Sequence, residues 1–248
     1  MKVAGVKVAG VLLSTLAVLA GCGSPADDHL VIFAAASLRP TFADLGARFS
    51  ALNPGSPVEL STAGSADLLT QLTQGAQADV FATADTATMD KAARAGLLAG
   101  PPVPFASNAL AIVVAPGNPQ GVTSFRDLAG VDLVVCAVQV PCGAALPRIE
   151  QETGVRLRPV SEESSVTDVL NKVTSGQADA GVVYQTDARA AGAAVTTVPF
   201  PEAAGAPNRY QIAVLISSAD PVRAKAFVDL VAGPVGQQVL GAAGFGGP

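Results

Sequence analysis

Two serines stand where an apolar segment gives way to a helical pattern. Ser37 closes the run VIFAAAS at residues 31–37, and Ser65 lies in the segment STAGSADL at residues 61–68. A helix N-terminus offers unpaired backbone N–H groups and a partial positive charge, and a serine adds a hydroxyl donor. Such a corner binds an anion without lysine or arginine. The alternative is that each serine only caps its helix. Two such corners predict a chain that captures an oxyanion.

The sequence around these serines does not indicate a catalytic site. Neither serine lies in a Gly-x-Ser-x-Gly motif, and the single histidine, His29, precedes the first predicted strand. A serine nucleophile needs an adjacent base, and none is evident. Two cysteines and one distant histidine are also too few for a metal site. We therefore expect a binding protein with no catalytic residues, no cofactor and no directly coordinated metal.

The N-terminus has the features of an export signal. Lys2 and Lys7 precede an apolar run at residues 8–19, which is short for a membrane span and leads into Leu19-Ala20-Gly21-Cys22. The last four residues resemble the bacterial lipobox, in which the cysteine is lipidated after cleavage. The expectation is a signal peptide at residues 1–21, a lipidated Cys22 and a tether at 22–29. The mature body would lie outside the cell, anchored to the cell membrane. A plain secretory signal with an incidental cysteine is the alternative.

The charge and the remaining cysteines restrict the partners and the chemistry. Without Lys2 and Lys7 the chain holds 13 basic and 20 acidic residues, a net charge of −7. This balance argues against nucleic acid as the partner. It also requires local donors to hold any anion. Cys136 and Cys142 form an even pair that could be a disulfide in an oxidising compartment, or two separate buried residues.

Strand-like and helix-like segments alternate from residue 30 onward, which is typical of α/β folds with parallel sheets covered on both faces. The strand at Leu110 and the Pro/Gly-rich stretch 200–207 are predicted to cross between two lobes. The first lobe would hold residues 30–106 and 206–248, and the second lobe residues 107–205. No internal repeat is evident.

Four segments in order resemble the periplasmic molybdate-binding proteins of ABC importers. They are VIFAAASL at 31–38, ADVFATAD at 78–85, GVVYQTDA at 181–188 and the ending GF at 244–245. The likeness covers essentially the whole chain from residue 30. It implies the type II periplasmic-binding-protein fold, in which two lobes, each a mostly parallel sheet flanked by helices, enclose the ligand in the cleft between them.

The same resemblance implies a set of ligand-binding residues. The two serine hydroxyls fall on Ser37 and Ser65, and the tyrosine hydroxyl falls on Tyr184. Backbone N–H donors fall on Val166 and on Cys142, where a small residue such as alanine is expected. Tyr184 could instead be ordinary sheet packing. Arg39, next to the first serine corner, is either a solvated surface charge or a charge at the mouth of the cleft.

Molybdate suits such a set because it is a dianion with four acceptor oxygens and no proton near neutral pH. A site built only from donors satisfies it and leaves the proton of phosphate facing a donor. Sulfate is a dianion of the same charge and shape, so such a site can exclude it only because it is smaller than molybdate. The sequence thus predicts a monomeric receptor that captures molybdate and delivers it to an ABC permease. Tungstate or sulfate as the natural anion, and a ligand-sensing module, are the alternatives.

Overall fold

Two mixed sheets form the framework of this computed structural model, which describes residues 1, 2, 5 and 29–248. The expected cleavage site and Cys22 lie outside the described residues. Among the described residues, no helix has both the length and the apolar character that a membrane crossing needs.

The first sheet has the strand order β2-β1-β3-β10-β4. Its members are β1 (Leu30–Ala35), β2 (Val58–Ala63), β3 (Val80–Thr83), β4 (Val103–Asn108) and β10 (Asn208–Val214). The strand β1 pairs in parallel with β2 and β3, whereas β10 pairs antiparallel with β3 and β4. We call this sheet and the helices packed on it lobe 1.

The second sheet has the order β7-β6-β8-β5-β9. It consists of β5 (Leu110–Val114), β6 (Leu133–Cys136), β7 (Ser161–Glu163), β8 (Ala180–Tyr184) and β9 (Thr196–Val198). Here β6 pairs in parallel with β7 and β8, and β5 pairs antiparallel with β8 and β9. This sheet and its helices form lobe 2.

Helices cover both sheets, as the alternating pattern predicts. Lobe 1 carries α1 (Arg39–Leu52), α2 (Ser65–Thr73), α3 (Thr86–Arg94), α7 (Pro221–Ala232) and α8 (Pro234–Ala243), and lobe 2 carries α4 (Leu146–Thr153), α5 (Val166–Thr174) and α6 (Gln185–Ala191). The apolar residues of α1 at four- and three-residue spacing, Phe42, Leu45 and Phe49, are buried. They pack with α7 through the Phe42–Phe227 and Phe49–Phe227 ring pairs. Apolar burial of this kind fixes the helices that carry the serine corners.

The chain crosses between the sheets at two adjacent points. Ala109 alone separates β4 in the first sheet from β5 in the second, so β4 extends past the predicted boundary at residue 106. The return crossing enters β10 at Asn208, and the pairing register places Asn208 opposite Asn108. Both crossings therefore lie side by side beneath the cleft.

Candidate functional site

A small cavity lies between the two lobes where strands end and helices begin. Its volume is about 20 Å³, and it is lined by Ala35, Ala36, Ser37, Gly64, Ser65, Ala84, Pro141, Cys142, Ser164, Ser165, Val166 and Tyr184. All five residues predicted to bind the anion are in this set. No lining side chain carries a charge. Cavities at the carboxyl ends of strands in α/β sheets are common ligand sites.

The two serines are buried at the cavity and do not cap their helices. Ser37 lies in a single 3-10 turn between β1 and α1, and Ser65 is the first residue of α2. Neither helix start has a side-chain capping bond, so the capping alternative does not apply. The Ser65 Oγ accepts a hydrogen bond from the Ala84 backbone N–H at 3.1 Å. The Ser65 hydroxyl proton therefore remains free to be donated into the cavity.

Tyr184 presents a buried hydroxyl to the same cavity. The residue is 1% exposed, and its hydroxyl oxygen makes no hydrogen bond of good geometry among the described residues, although it interacts with the neighbouring Tyr210 hydroxyl. Burial raises the pKa of the phenol well above its ordinary value, with Tyr210 adding to the effect, so the group stays protonated. A buried polar group without a partner is rare in folded proteins. An anion in the cavity would supply the missing acceptor.

Backbone donors come from the start of α5. Val166 is the first residue of that helix, where the N–H has no partner inside the helix. The preceding Ser165 is the capping residue: its Oγ donates to the Asp168 carboxylate at 2.7 Å and accepts from the Asp168 N–H at 3.3 Å. Its hydroxyl is therefore used within lobe 2, which leaves the helix N–H groups for a ligand.

The loop that carries Cys142 is held by several constraints. A disulfide joins Cys136 to Cys142, with the Cα atoms 5.6 Å apart. The Val140 N–H donates to the Ala137 carbonyl, and the Gly143 N–H donates to the Val140 carbonyl, both at 3.1 Å. A side chain at Gly143 would place its Cβ 2.2 Å from the Ala137 oxygen, so the tight turn requires glycine. The disulfide thus fixes the loop through the side chain of Cys142, which is one of the residues that line the cavity.

The two lobes touch closely at the edge of the cavity. A Cβ built on Gly64 in lobe 1 would lie 2.3 Å from the carbonyl oxygen of Ser164 in lobe 2. Gly64 has φ −55° and ψ 137°, which any residue adopts. The glycine is therefore needed for the approach of the lobes and not for its own backbone conformation.

Polar residues that sequence reasoning missed lie under the cavity, at the crossings. The Asn208 Nδ2 donates to the Ala84 carbonyl of lobe 1 at 3.2 Å and to the Pro141 carbonyl of lobe 2 at 2.9 Å. Both carbonyls belong to residues that line the cavity, so Asn208 joins its two walls. Tyr210 lies 2.9 Å from Ser37, measured between their hydroxyl oxygens. The one available signal was that Tyr210 is one of only two tyrosines in the chain.

Arg39 does not belong to the cavity lining. It is exposed at the first position of α1. Within the described part of the chain, no cluster of histidine, cysteine and acidic residues is suited to a metal ion. The cavity therefore holds neutral donors that could bind a ligand through its oxygen atoms.

Known proteins resemble this chain along most of its length. The chain is 55% identical to the molybdate-binding protein ModA of Mycobacterium tuberculosis over 221 residues, which are 88% of this chain and 85% of that protein. It is 28% identical to the molybdate-binding protein ModA of Escherichia coli over 239 residues, with 92% of each chain covered.

Solved structures share the fold. The periplasmic molybdate-binding protein of Azotobacter vinelandii matches with a TM-score of 0.75 and 24% identity, covering 88% of this chain and 99% of that one. The sulfate-binding protein SubI of Mycobacterium tuberculosis matches with a TM-score of 0.71 and 22% identity, covering 88% and 86%. These likenesses confirm the predicted two-lobe α/β architecture.

The family described as bacterial extracellular solute-binding protein matches residues 30–246, which is all but the ends of the described body. That description confirms the prediction of a binding protein in place of an enzyme. The chain belongs to the family of bacterial extracellular solute-binding proteins.

Proposed function

We propose that this protein binds molybdate in the cavity between its lobes and delivers it to the permease of an ABC importer. The observation that carries the proposal is the buried Tyr184 hydroxyl, which faces the cavity as a donor without an acceptor. The relatives in Mycobacterium tuberculosis and Escherichia coli are molybdate-binding proteins by name, which supports the same ligand here. The delivery step rests on the resemblance to receptors of ABC importers.

The donors reach the anion from both sides. Ser37 and Ser65 would donate hydroxyl groups from lobe 1, and the Cys142 and Val166 N–H groups and the Tyr184 hydroxyl would donate from lobe 2. Hydrogen bonds to a charged oxygen contribute roughly 1.5–3 kcal/mol each. Several such bonds in a closed site offset the desolvation of a dianion. Because the ligand contacts both lobes, it favours the closed state over the open one.

Titration of the purified protein tests the proposal. Molybdate, tungstate, sulfate and phosphate are added separately, and the melting temperature and the heat of binding are measured. All four anions are compared at one concentration. A ligand present at about 100 times its Kd adds about 2.7 kcal/mol to the free energy of unfolding, and a weaker ligand at the same concentration adds less. The natural anion should therefore raise the melting temperature most. A larger shift with sulfate or tungstate than with molybdate would assign the site to that anion.

The Tyr184→Phe variant tests the role of the hydroxyl. Losing one bond to the anion should weaken molybdate binding by about 1–3 kcal/mol, or about 5- to 150-fold in Kd. The ring is retained, so the fold should persist. Unchanged affinity would show that the hydroxyl does not contact the anion.

The lipid anchor is a separate proposal, supported by the lipobox-like segment that ends at Cys22. The full chain expressed in a bacterial host should partition into the detergent phase, and a Cys22→Ala variant should not. Partition of the native chain into the aqueous phase would support a plain secretory signal.

A further inference from the structure

A line of three polar side chains runs from the crossing strands to the cavity. It begins at Asn108, passes through Tyr210 and ends at Ser37. All three residues are buried. Only Ser37 lines the cavity, so the other two act on the ligand through it.

The orientation of Asn108 is fixed by its neighbours. Its Oδ1 accepts a hydrogen bond from the Ala109 N–H at 3.0 Å. Its Nδ2 donates to the Thr186 Oγ1 at 2.7 Å and points a second hydrogen at the Tyr210 oxygen over 3.5 Å. Asn108 therefore offers Tyr210 a hydrogen and no acceptor.

Tyr210 must then donate to a neighbour other than Asn108. The residue is 0% exposed, and burial raises the pKa of its phenol, which keeps its proton. A buried hydroxyl proton without an acceptor is unfavourable, and the Ser37 Oγ at 2.9 Å is an acceptor in reach. A phenol is also a better donor than an aliphatic hydroxyl. Either hydroxyl of this pair could be the donor, and Tyr184 also interacts with Tyr210; the donor strength of the phenol and the 2.9 Å distance favour the direction from Tyr210 to Ser37.

We infer that Asn108 and Tyr210 are positioning residues that turn the hydroxyl proton of Ser37 toward the cavity. This inference rests on the proposed function, and its consequence is that the site selects oxyanions that carry no proton. With one of its two acceptor lone pairs engaged by Tyr210, the Ser37 hydroxyl is oriented so that its proton points at the ligand. A monoprotonated oxyanion such as hydrogen phosphate would bring its own proton against this donor. A site whose polar groups are left unpaired by a ligand rejects it strongly.

The Tyr210→Phe variant tests this role. The ring still packs against Phe105 and Phe245, so the core is retained. Calorimetry at about pH 8, where phosphate is mostly a monoprotonated dianion, compares two anions of equal charge. Ser37 freed from Tyr210 can accept as well as donate. We expect the Kd for molybdate to rise about 3- to 10-fold and the ratio of the phosphate Kd to the molybdate Kd to fall at least about 10-fold.

Tyr184→Phe is the matched control, because it removes a phenol that faces the cavity directly. It should weaken both anions and leave the ratio within about 3-fold of the native value. A ratio in Tyr210→Phe that equals the native one would overturn the inference, since a purely structural defect weakens both anions alike.

A double-mutant comparison with Ser37→Ala provides a second test that does not depend on the Tyr210→Phe variant alone. Because Tyr210 acts through Ser37, the change in ratio on adding Tyr210→Phe to Ser37→Ala should disappear. Additive effects would overturn the inference. The native titration separates it from the proposed function: if another dianion binds in place of molybdate, the proposed cargo is wrong and the ratio is taken against that dianion. If no oxyanion binds, both are wrong.

Discussion

Replacing Gly64 by alanine should prevent full closure of the cleft without disturbing either lobe. The new Cβ would lie 2.3 Å from the Ser164 carbonyl oxygen on the opposite lobe. The backbone angles of Gly64, φ −55° and ψ 137°, suit alanine equally well. The severe conflict is therefore between the lobes, and it vanishes when they separate; the other close contact, 3.1 Å to the Asp67 Oδ2 in lobe 1, is with the end of a flexible side chain that can move.

The size of the effect follows from the distance. A carbon–oxygen contact needs at least about 3.2 Å, so the lobes must move apart by roughly 1 Å at this point. A hydrogen bond of about 2.8 Å that is lengthened by about 1 Å exceeds the limit for such a bond. The loss of one charge-assisted bond, about 1.5–3 kcal/mol, corresponds to a Kd about 10- to 150-fold higher.

Isothermal titration with molybdate measures the change. Gly100→Ala is the matched control, because a Cβ at Gly100 meets no atom within 4 Å and this variant should bind as the native protein does. The melting temperature of Gly64→Ala without ligand should stay near the native value. A native Kd in Gly64→Ala would refute the view that close contact of the lobes is needed for tight binding.

Three further predictions concern residues around the cavity. Asn208→Ala removes both bonds that join the cavity walls and should raise the molybdate Kd about 5- to 30-fold. Asn53→Ala loses a bond to Phe49 within lobe 1 and should lower only the melting temperature; equal molybdate Kd values in the two variants would contradict this. Replacing Cys136 and Cys142 by serine removes a cross-link with a sequence separation of 6 and should lower the free energy of unfolding by about 2 kcal/mol in urea titrations; an unchanged midpoint would contradict it. Burial raises the pKa of Asp187 to about 7 from 3.8, so this group stabilises the fold below about pH 4, and its contribution is lost as the pH rises through about 7. Between about pH 5 and pH 8, Asp187→Asn should therefore lose less melting temperature than the native chain, and parallel curves would contradict that assignment.

Local sequence patterns predict the helices and strands that have a clear hydrophobic period or capping residue. An aspartate just before a helical pattern predicts an N-cap, and the Asp85 carboxylate does cap α3 by accepting from the Thr88 N–H at 2.9 Å. The strand β4 has no clear strand signal, because prolines at 101, 102 and 104 indicate a loop. Pro104 is tolerated because β4 is the edge strand of its sheet, where a residue without an N–H breaks few ladder bonds. The three-residue strands β7 and β9 are too short to show a period.

The cavity itself was accessible to sequence reasoning only where motifs mark it. Ser37, Ser65 and Tyr184 stand at ends of apolar segments that the pattern identifies. The bond between Ser37 and Tyr210 joins residues 173 positions apart, and that between Asn108 and Thr186 spans 78. Contacts of this range depend on the sheet register and the crossings, which no local period encodes. The supporting residues therefore became visible only in three dimensions.

The absence of formal charge among the cavity side chains has a consequence for the speed of loading. A cleft lined by cations would draw anions in from a distance, and salt would slow that capture. Here the net charge is −5 for the whole chain and −7 without Lys2 and Lys7, so an approaching dianion meets a repulsive field until it reaches the walls. Added salt shortens the range of this repulsion. The association rate of the dianion should accordingly increase with ionic strength, in contrast to a receptor that steers its cargo electrostatically.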